Sequence, residues 1–195
     1  MAAPLKTIPI WVPNVVNPKI LFITENYPKN SNAVIKNTYF YRTLHPQIQI
    51  NGTNNLLNNI CKTMNIVGAT EFEKLDNFLY KNNYFLIDTY PCGQQMSAQL
   101  IKATINNISW IDNIIDDLLH INPQQIVFTC VGSNGMLLPN LISRSNARGL
   151  TLIKNTLIPN HHGNNKKVFH SPSNRAYPMF NTQIQSAIKS NLLKS

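Results

Sequence analysis

Beyond Asp117 the 195-residue chain contains no aspartate or glutamate at all. One enzyme class is excluded by that absence. The segment VGSNG at 131–135 comes close to the nucleophile elbow G-x-S-x-G at a strand-to-helix turn, but Val131 replaces the first glycine, and no acid follows Ser133. Serine hydrolases of that fold order their triad as serine, acid, histidine. Glycine is scarce as well, with seven in the chain, and the turn after the first apolar run, KILFIT (19–24), has neither glycine nor a Lys-Ser/Thr pair. A phosphate cradle of the P-loop or dinucleotide type is thereby excluded at that turn. The three cysteines, Cys61, Cys92 and Cys130, are odd in number and widely spaced, which argues against a disulfide framework and reads as buried free thiols. His161 and His162 are adjacent with no carboxylate nearby, so they read as loop histidines, and no metal site is expected. No apolar run approaches the roughly 18 residues of a membrane span, and the start MAAPLKTIPIWVPN lacks the charged end, apolar core and cleavage site of a signal peptide. The expectation is an intracellular protein of cytoplasm, nucleoid or nucleus, without membrane contact. No linker or internal repeat divides the chain, so residues 1–195 are expected to form a single domain and a monomer. Asparagine is abundant, but periodic apolar residues interrupt it, which marks a compositional bias rather than disorder.

What the chain does contain is an excess of base. Residues 1–117 carry nine Lys/Arg against eight acids, and residues 118–195 carry eight against none, for a net charge of +9 overall. A pI near 9.6 with the excess gathered in the C-terminal part suits a polyanionic partner. No basic amphipathic helix with bulky apolar anchors points to an anionic membrane, so nucleic acid is the expected partner.

Four short apolar runs end in polar residues: KILFIT (19–24), YFLIDT (84–89), QIVFTC (125–130) and KVFH (167–170). Continuous apolar strands of this kind belong to parallel sheets covered on both faces. Helical spacing separates them, in Leu56, Leu57, Ile60 and Met64, in Phe72, Leu75, Phe78 and Leu79, and in the long series from Leu100 to Leu119. A last helix is expected from about Pro178 through Leu192, and GLTLIK (149–154) reads as a strand or as part of the basic connection. The alternation predicts an α/β fold, three-layer α/β/α, with a central, mostly parallel four-stranded sheet. Ligands of such sheets gather at the carboxyl ends of the strands, where TENYP, DTYPCG, TCVGSNG and HSPSNR would converge.

These strand ends resemble the uracil-DNA glycosylase superfamily. Its members have a first-strand motif of the type G-Q-D-P-Y, G-E-A-P-G or G-I-N-P-G and a last-strand motif of the type H-P-S-P; here TENYP stands at 24–28 and HSPS at 170–173. The resemblance runs from about residue 19 to 185, and it includes the aromatic segment YFYR (39–42) about a dozen residues beyond the first motif. It departs from the pattern at Thr24, where the family has glycine. It implies a monofunctional DNA glycosylase that hydrolyses the N-glycosidic bond of a deaminated base such as uracil or hypoxanthine, as in base excision repair. No cofactor is implied, since the cluster-bearing branches use four thiolates. The competing expectation is a non-catalytic nucleic-acid-binding protein on the same fold.

Breaking an N-glycosidic bond builds an oxocarbenium-like sugar and negative charge on the leaving base. A hydrogen-bond donor to the base oxygen and a group that holds water are therefore needed. His170 suits the donor, since a neutral imidazole can stabilise a developing oxyanion; the alternative is a histidine that caps a strand above a Ser-Pro turn. By the resemblance Asn26 takes the place of the catalytic Asp or Asn, and Glu25 that of the Glu in the G-E-A-P-G branch. Asn orients water but is a poor base, so Glu25 is the stronger candidate if it faces the site. Phe40 would stack on the flipped base, and Tyr27 would screen against a thymine methyl. Asp88 occupies the position where the family often has a base-reading Asn. A carboxylate can accept from a ring N–H but cannot donate to the neighbouring oxygen unless protonated, so uracil and hypoxanthine both stay open, as does a structural role in the turn. The run DTYPCGQQMS is similar to the hypoxanthine or deoxyinosine glycosylase-like branch.

Extruding a base from single- or double-stranded DNA calls for a loop residue to fill the gap. Ser171, Ser173, Asn174, Arg175 and Tyr177 follow the histidine where the family carries its wedge. Arg144, Arg148, Lys154, Lys166 and Lys167 are the candidate phosphate contacts.

Overall fold

A computed structural model describes residues 17–25, 55–90, 97–150 and 168–194. Among these residues the chain is α/β, with a parallel sheet of three strands flanked by helices. β1 (Ile20–Thr24) lies in the centre, β2 (Tyr84–Asp88) pairs on one side and β3 (Ile126–Phe128) on the other. Ile20 stands opposite Tyr84 and Thr24 opposite Asp88, while Leu21 is opposite Ile126. Every residue of the three strands is buried, as runs without polar alternation require. On one face Phe22 packs against Phe78 and Tyr84, with ring centroids 6.0 and 6.5 Å apart.

The fourth expected strand does not form among the described residues. Val168 and Phe169 are fully buried beside β3, but a single backbone bond, Phe169 N–H to Phe128 O at 2.8 Å, joins them to it. Since β3 has only three residues, the ladder has little edge on which a further strand could pair.

The helices follow the apolar periodicity. They are α1 (Asn55–Thr63), α2 (Glu71–Asp76), α3 (Ala98–Ile105), α4 (Ile108–Ile121), α5 (Ser133–Ala147) and α6 (Tyr177–Lys189). α2 runs on into a π turn, Asn77–Lys81, closed by Asn82 N–H to Asn77 O at 3.0 Å. Thr70, Ser97 and Asn107 cap the starts of α2, α3 and α4 by accepting from backbone N–H groups one turn on. α1 packs against α2 and α6, and α5 against α3 and α4.

The scarcity of glycine has a structural answer. Asn17, Asn65, Asn83, Asn122 and Asn191 adopt positive φ, the left-handed conformation that asparagine tolerates better than other residues with a side chain. Cys130, at φ 68°, is the remaining non-glycine residue with positive φ among those described, and it lies just past β3 at the carboxyl edge of the sheet. A cysteine held there is a local strain of the kind that gathers at functional sites.

Candidate active site

At the carboxyl edge the end of β1 is bolted to the start of α5. The Thr24 carbonyl accepts from the Thr89 N–H at 3.3 Å, the Thr89 hydroxyl at 2.9 Å and Asn134 Nδ2 at 2.9 Å. The Thr89 hydroxyl also contacts Asn134 Oδ1. Trp110 Nε1 donates to Thr89 O at 2.7 Å and the Tyr90 phenol to Ser133 O at 2.7 Å, which ties α4 and α5 to the turn after β2. Thr89, Tyr90 and Asn134 are all fully buried. The turns that carry Glu25, Asp88 and Cys130 therefore share one rigid frame.

Asp88 is buried, and the Thr24 hydroxyl opposite it donates to its Oδ1. Burial raises its carboxyl to about 6; the Thr24 bond opposes that rise and the charge of Glu25 adds to it. Cys130 is pushed up to about 12, chiefly by burial, with the Thr129 and Ser171 hydroxyls lowering it and the charges of Glu25 and Asp88 raising it. The Thr129 hydroxyl donates to Ile23 O at 3.0 Å and lies 3.4 Å from Cys130 Sγ. A thiol raised this far stays neutral at neutral pH, and the neutral form is neither a nucleophile nor a metal ligand. Cys61 is likewise pushed up to about 12 by burial. Both agree with the reading of buried free thiols, and no cluster of metal-ligating side chains occurs among the described residues.

The charge of half-buried Glu25 raises the Cys130 thiol, and the Ser171 hydroxyl, next to half-buried His170, lowers it. Glu25 follows β1 directly, and His170 follows Phe169, whose N–H bonds to Phe128 O at the end of β3, so both turns lie at the carboxyl edge of the sheet. His170 is fixed through its backbone, whose N–H donates to Gln183 Oε1 of α6 at 2.8 Å. Beyond it Ser173 N–H donates to Ser171 Oγ at 3.2 Å, and Asn59 of α1 donates to Pro172 O at 2.8 Å and to Asn174 Oδ1 at 3.0 Å. Ser173, Asn174 and Arg175 are exposed, and Tyr177 lies under Lys62, whose Nζ is 5.8 Å from the ring centroid.

At the start of α5 the Ser133 side chain is buried, with no hydrogen-bond partner for its Oγ among the described residues. The Asn134 N–H of this first turn donates to Cys130 O at 3.0 Å.

Arg144 and Arg148 pair with acids of α4. Arg144 forms a two-pronged ion pair with Asp112, with Nε and Nη2 each 2.8 Å from an oxygen, and Arg148 reaches Asp116 at 2.8 Å and Asp112 at 3.4 Å. The guanidinium groups hold the Asp112 carboxyl below its ordinary value, through the Arg144 hydrogen bond above all. α5 starts at the site and runs away from it, which leaves Arg144 eleven residues, or roughly 16 Å, from Ser133. Two of the eight bases that give the C-terminal part its charge are therefore matched by acids of α4. Asn26, Tyr27, Phe40, Lys154, Lys166 and Lys167 lie outside the described residues, as do Cys92, His161, His162 and most of GLTLIK.

Asn59, Thr89, Tyr90, Asn134 and Gln183 were not expected from the sequence. In an asparagine-rich chain a single amide carries no pattern, and most of their partners are backbone atoms. In comparisons with known proteins, no family model matches the chain and no curated protein is similar to it. No helix among the described residues is long and apolar enough to cross a membrane.

Proposed function

We propose that the protein is a monofunctional DNA glycosylase that removes a deaminated base, uracil or hypoxanthine, by hydrolysis of the N-glycosidic bond. The observation that carries this reading is that Glu25, directly after β1, and His170, directly after the Phe169 that bonds to the last residue of β3, both follow strand ends on the carboxyl edge of a parallel sheet. In the proposed reaction the bond between the base nitrogen and sugar C1′ breaks and its electron pair leaves with the base. His170 donates a hydrogen bond to the base oxygen on which the negative charge develops. Glu25, with Asn26 beside it in sequence, holds the water whose oxygen bonds to C1′; one water proton is taken up at the carboxylate and passes to the departing base. Asp88, with one oxygen engaged by Thr24, presents the other to the ring N–H that uracil and hypoxanthine share. Phe40 and Tyr27 complete the base site in this reading.

The finer architecture belongs to the same proposal: the helix groups α1–α2–α6 and α3–α4–α5 cover opposite faces of the sheet as an α/β/α sandwich. Arg175, Lys166 and Lys167 contact the DNA phosphates, Ser171 and Ser173 support the loop, and Asn174, Arg175 or Tyr177 fills the gap left by the base. The protein acts without cofactor, as a monomer, inside the cell.

The test incubates the protein with single- and double-stranded oligonucleotides bearing uracil, hypoxanthine or xanthine, and detects free base directly and abasic sites by alkaline cleavage. Release of uracil or hypoxanthine supports the reading. Salt-sensitive DNA binding without release of any base would instead identify a non-catalytic binding protein.

A further inference from the structure

We infer that Asn59 and Gln183 are positioning residues for the turn that begins at His170, holding it from two different helices. That the turn is held follows from the geometry alone, while its consequence for catalysis rests on the glycosylase reading. Phe169 N–H to Phe128 O at 2.8 Å joins the segment before His170 to the sheet, and no strand ladder forms there among the described residues, so the sheet alone does not fix His170. Gln183 accepts the next N–H along, that of His170, at 2.8 Å. Asn59 then places one amide on both sides of the following turn, 2.8 Å from Pro172 O and 3.0 Å from Asn174 Oδ1. A side-chain NH2 has two protons, so both acceptors can be served at once.

The two helices are themselves laced together. The Thr63 hydroxyl donates to Asn181 Oδ1 at 3.0 Å, and Gln185 Nε2 donates to Thr63 O at 2.7 Å. Asn59 and Gln183 therefore act from a common frame, and loosening either contact frees the turn relative to the strand ends. A donor that must meet charge developing in a transition state loses its effect when it is displaced by a fraction of an ångström to an ångström.

The test uses the full chain with Gln183→Leu, Gln183→Glu and Asn59→Asp, and reads amide hydrogen exchange residue by residue beside single-turnover base release. Asn59→Asp keeps size and shape but removes the donor, and Gln183→Glu keeps an oxygen that can accept. We expect exchange of the His170 amide to quicken by about tenfold or more in Gln183→Leu, the loss of one hydrogen bond of ordinary strength, and to return towards the parent value in Gln183→Glu. Asn59→Asp should quicken exchange at Ser173 and Ala176, with the amides of β1 unchanged in every variant. Base release should slow by about tenfold at saturating DNA, with affinity retained, in Gln183→Leu and Asn59→Asp. Unchanged exchange at these amides overturns the inference, and so does quickened exchange with base release at the parent rate. A parent protein that releases no base refutes the glycosylase reading instead, while the exchange measurement still decides whether the turn is held.

Discussion

Thr24 and Asp88 face each other across the last rung of the β1–β2 pairing, and the Thr24 hydroxyl donates to the Asp88 carboxylate. Position 24 is where the resemblance departs from glycine, and position 88 is where it departs from asparagine. The two departures are one interaction.

That interaction gives a pH dependence. The buried Asp88 carboxyl is raised from 3.8 to about 6, so between these values the folded state holds a proton that the unfolded chain has released. Its contribution to stability is complete below pH ~4 and is lost as pH rises through ~6, on the order of 3 kcal/mol for a shift of this size. Asp88→Asn should abolish that slope. Denaturant midpoints of parent and variant, compared from pH 4 to pH 7, check it, and parallel curves would show that the carboxyl does not titrate there.

Asp88→Asn also tests base recognition. An amide turned to receive the Thr24 proton at its oxygen directs its donors toward the other side, where the carboxylate of the parent offers only an acceptor. Uracil excision should rise relative to hypoxanthine, read as the ratio of single-turnover rates on matched oligonucleotides. An unchanged ratio would remove Asp88 from the base site.

Strands β1, β2 and β3 were legible in the sequence because each is an unbroken apolar run, and α1, α4 and α6 because their apolar residues recur at helical spacing. That the run at 167–170 forms no fourth strand was not legible, because burial of Val168 and Phe169 makes a run apolar whether or not a ladder forms beside it. Glu25 and His170 could be singled out by residue type and place at strand ends. The fate of Arg144 and Arg148 could not, because their partners Asp112 and Asp116 lie more than 30 residues earlier on another helix. Charge counted along the chain is not charge in space.

That pairing predicts a division among the basic residues. Arg144→Ala should leave DNA affinity close to the parent value and lower the melting temperature slightly, more at low salt than at high salt. Arg175→Ala, on the exposed loop beyond His170, should weaken DNA binding at all sequences and reduce the salt slope by about one. Fluorescence anisotropy titrations at several salt concentrations separate the two, and equal losses would place Arg144 on the DNA after all.

Asn134 bears on the frame rather than the chemistry. Asn134→Ala removes the donor to Thr24 O and the acceptor beside the Thr89 hydroxyl, both buried, and should cost about 2–3 kcal/mol in unfolding free energy. Urea unfolding measures it. A cost below about 0.5 kcal/mol would mean that the junction of β1 and α5 does not depend on this side chain.

The most direct test of the central claim is the single-turnover rate of base release by the parent and by His170→Ala on one uracil- or hypoxanthine-containing oligonucleotide. The His170 group that donates to Gln183 is its backbone N–H, which alanine keeps. The account predicts release by the parent and a fall of roughly 10²-fold or more in the variant, the loss expected for an oxyanion donor, with melting temperature nearly unchanged. Equal rates in the two proteins, or no release by the parent from either base, would contradict it.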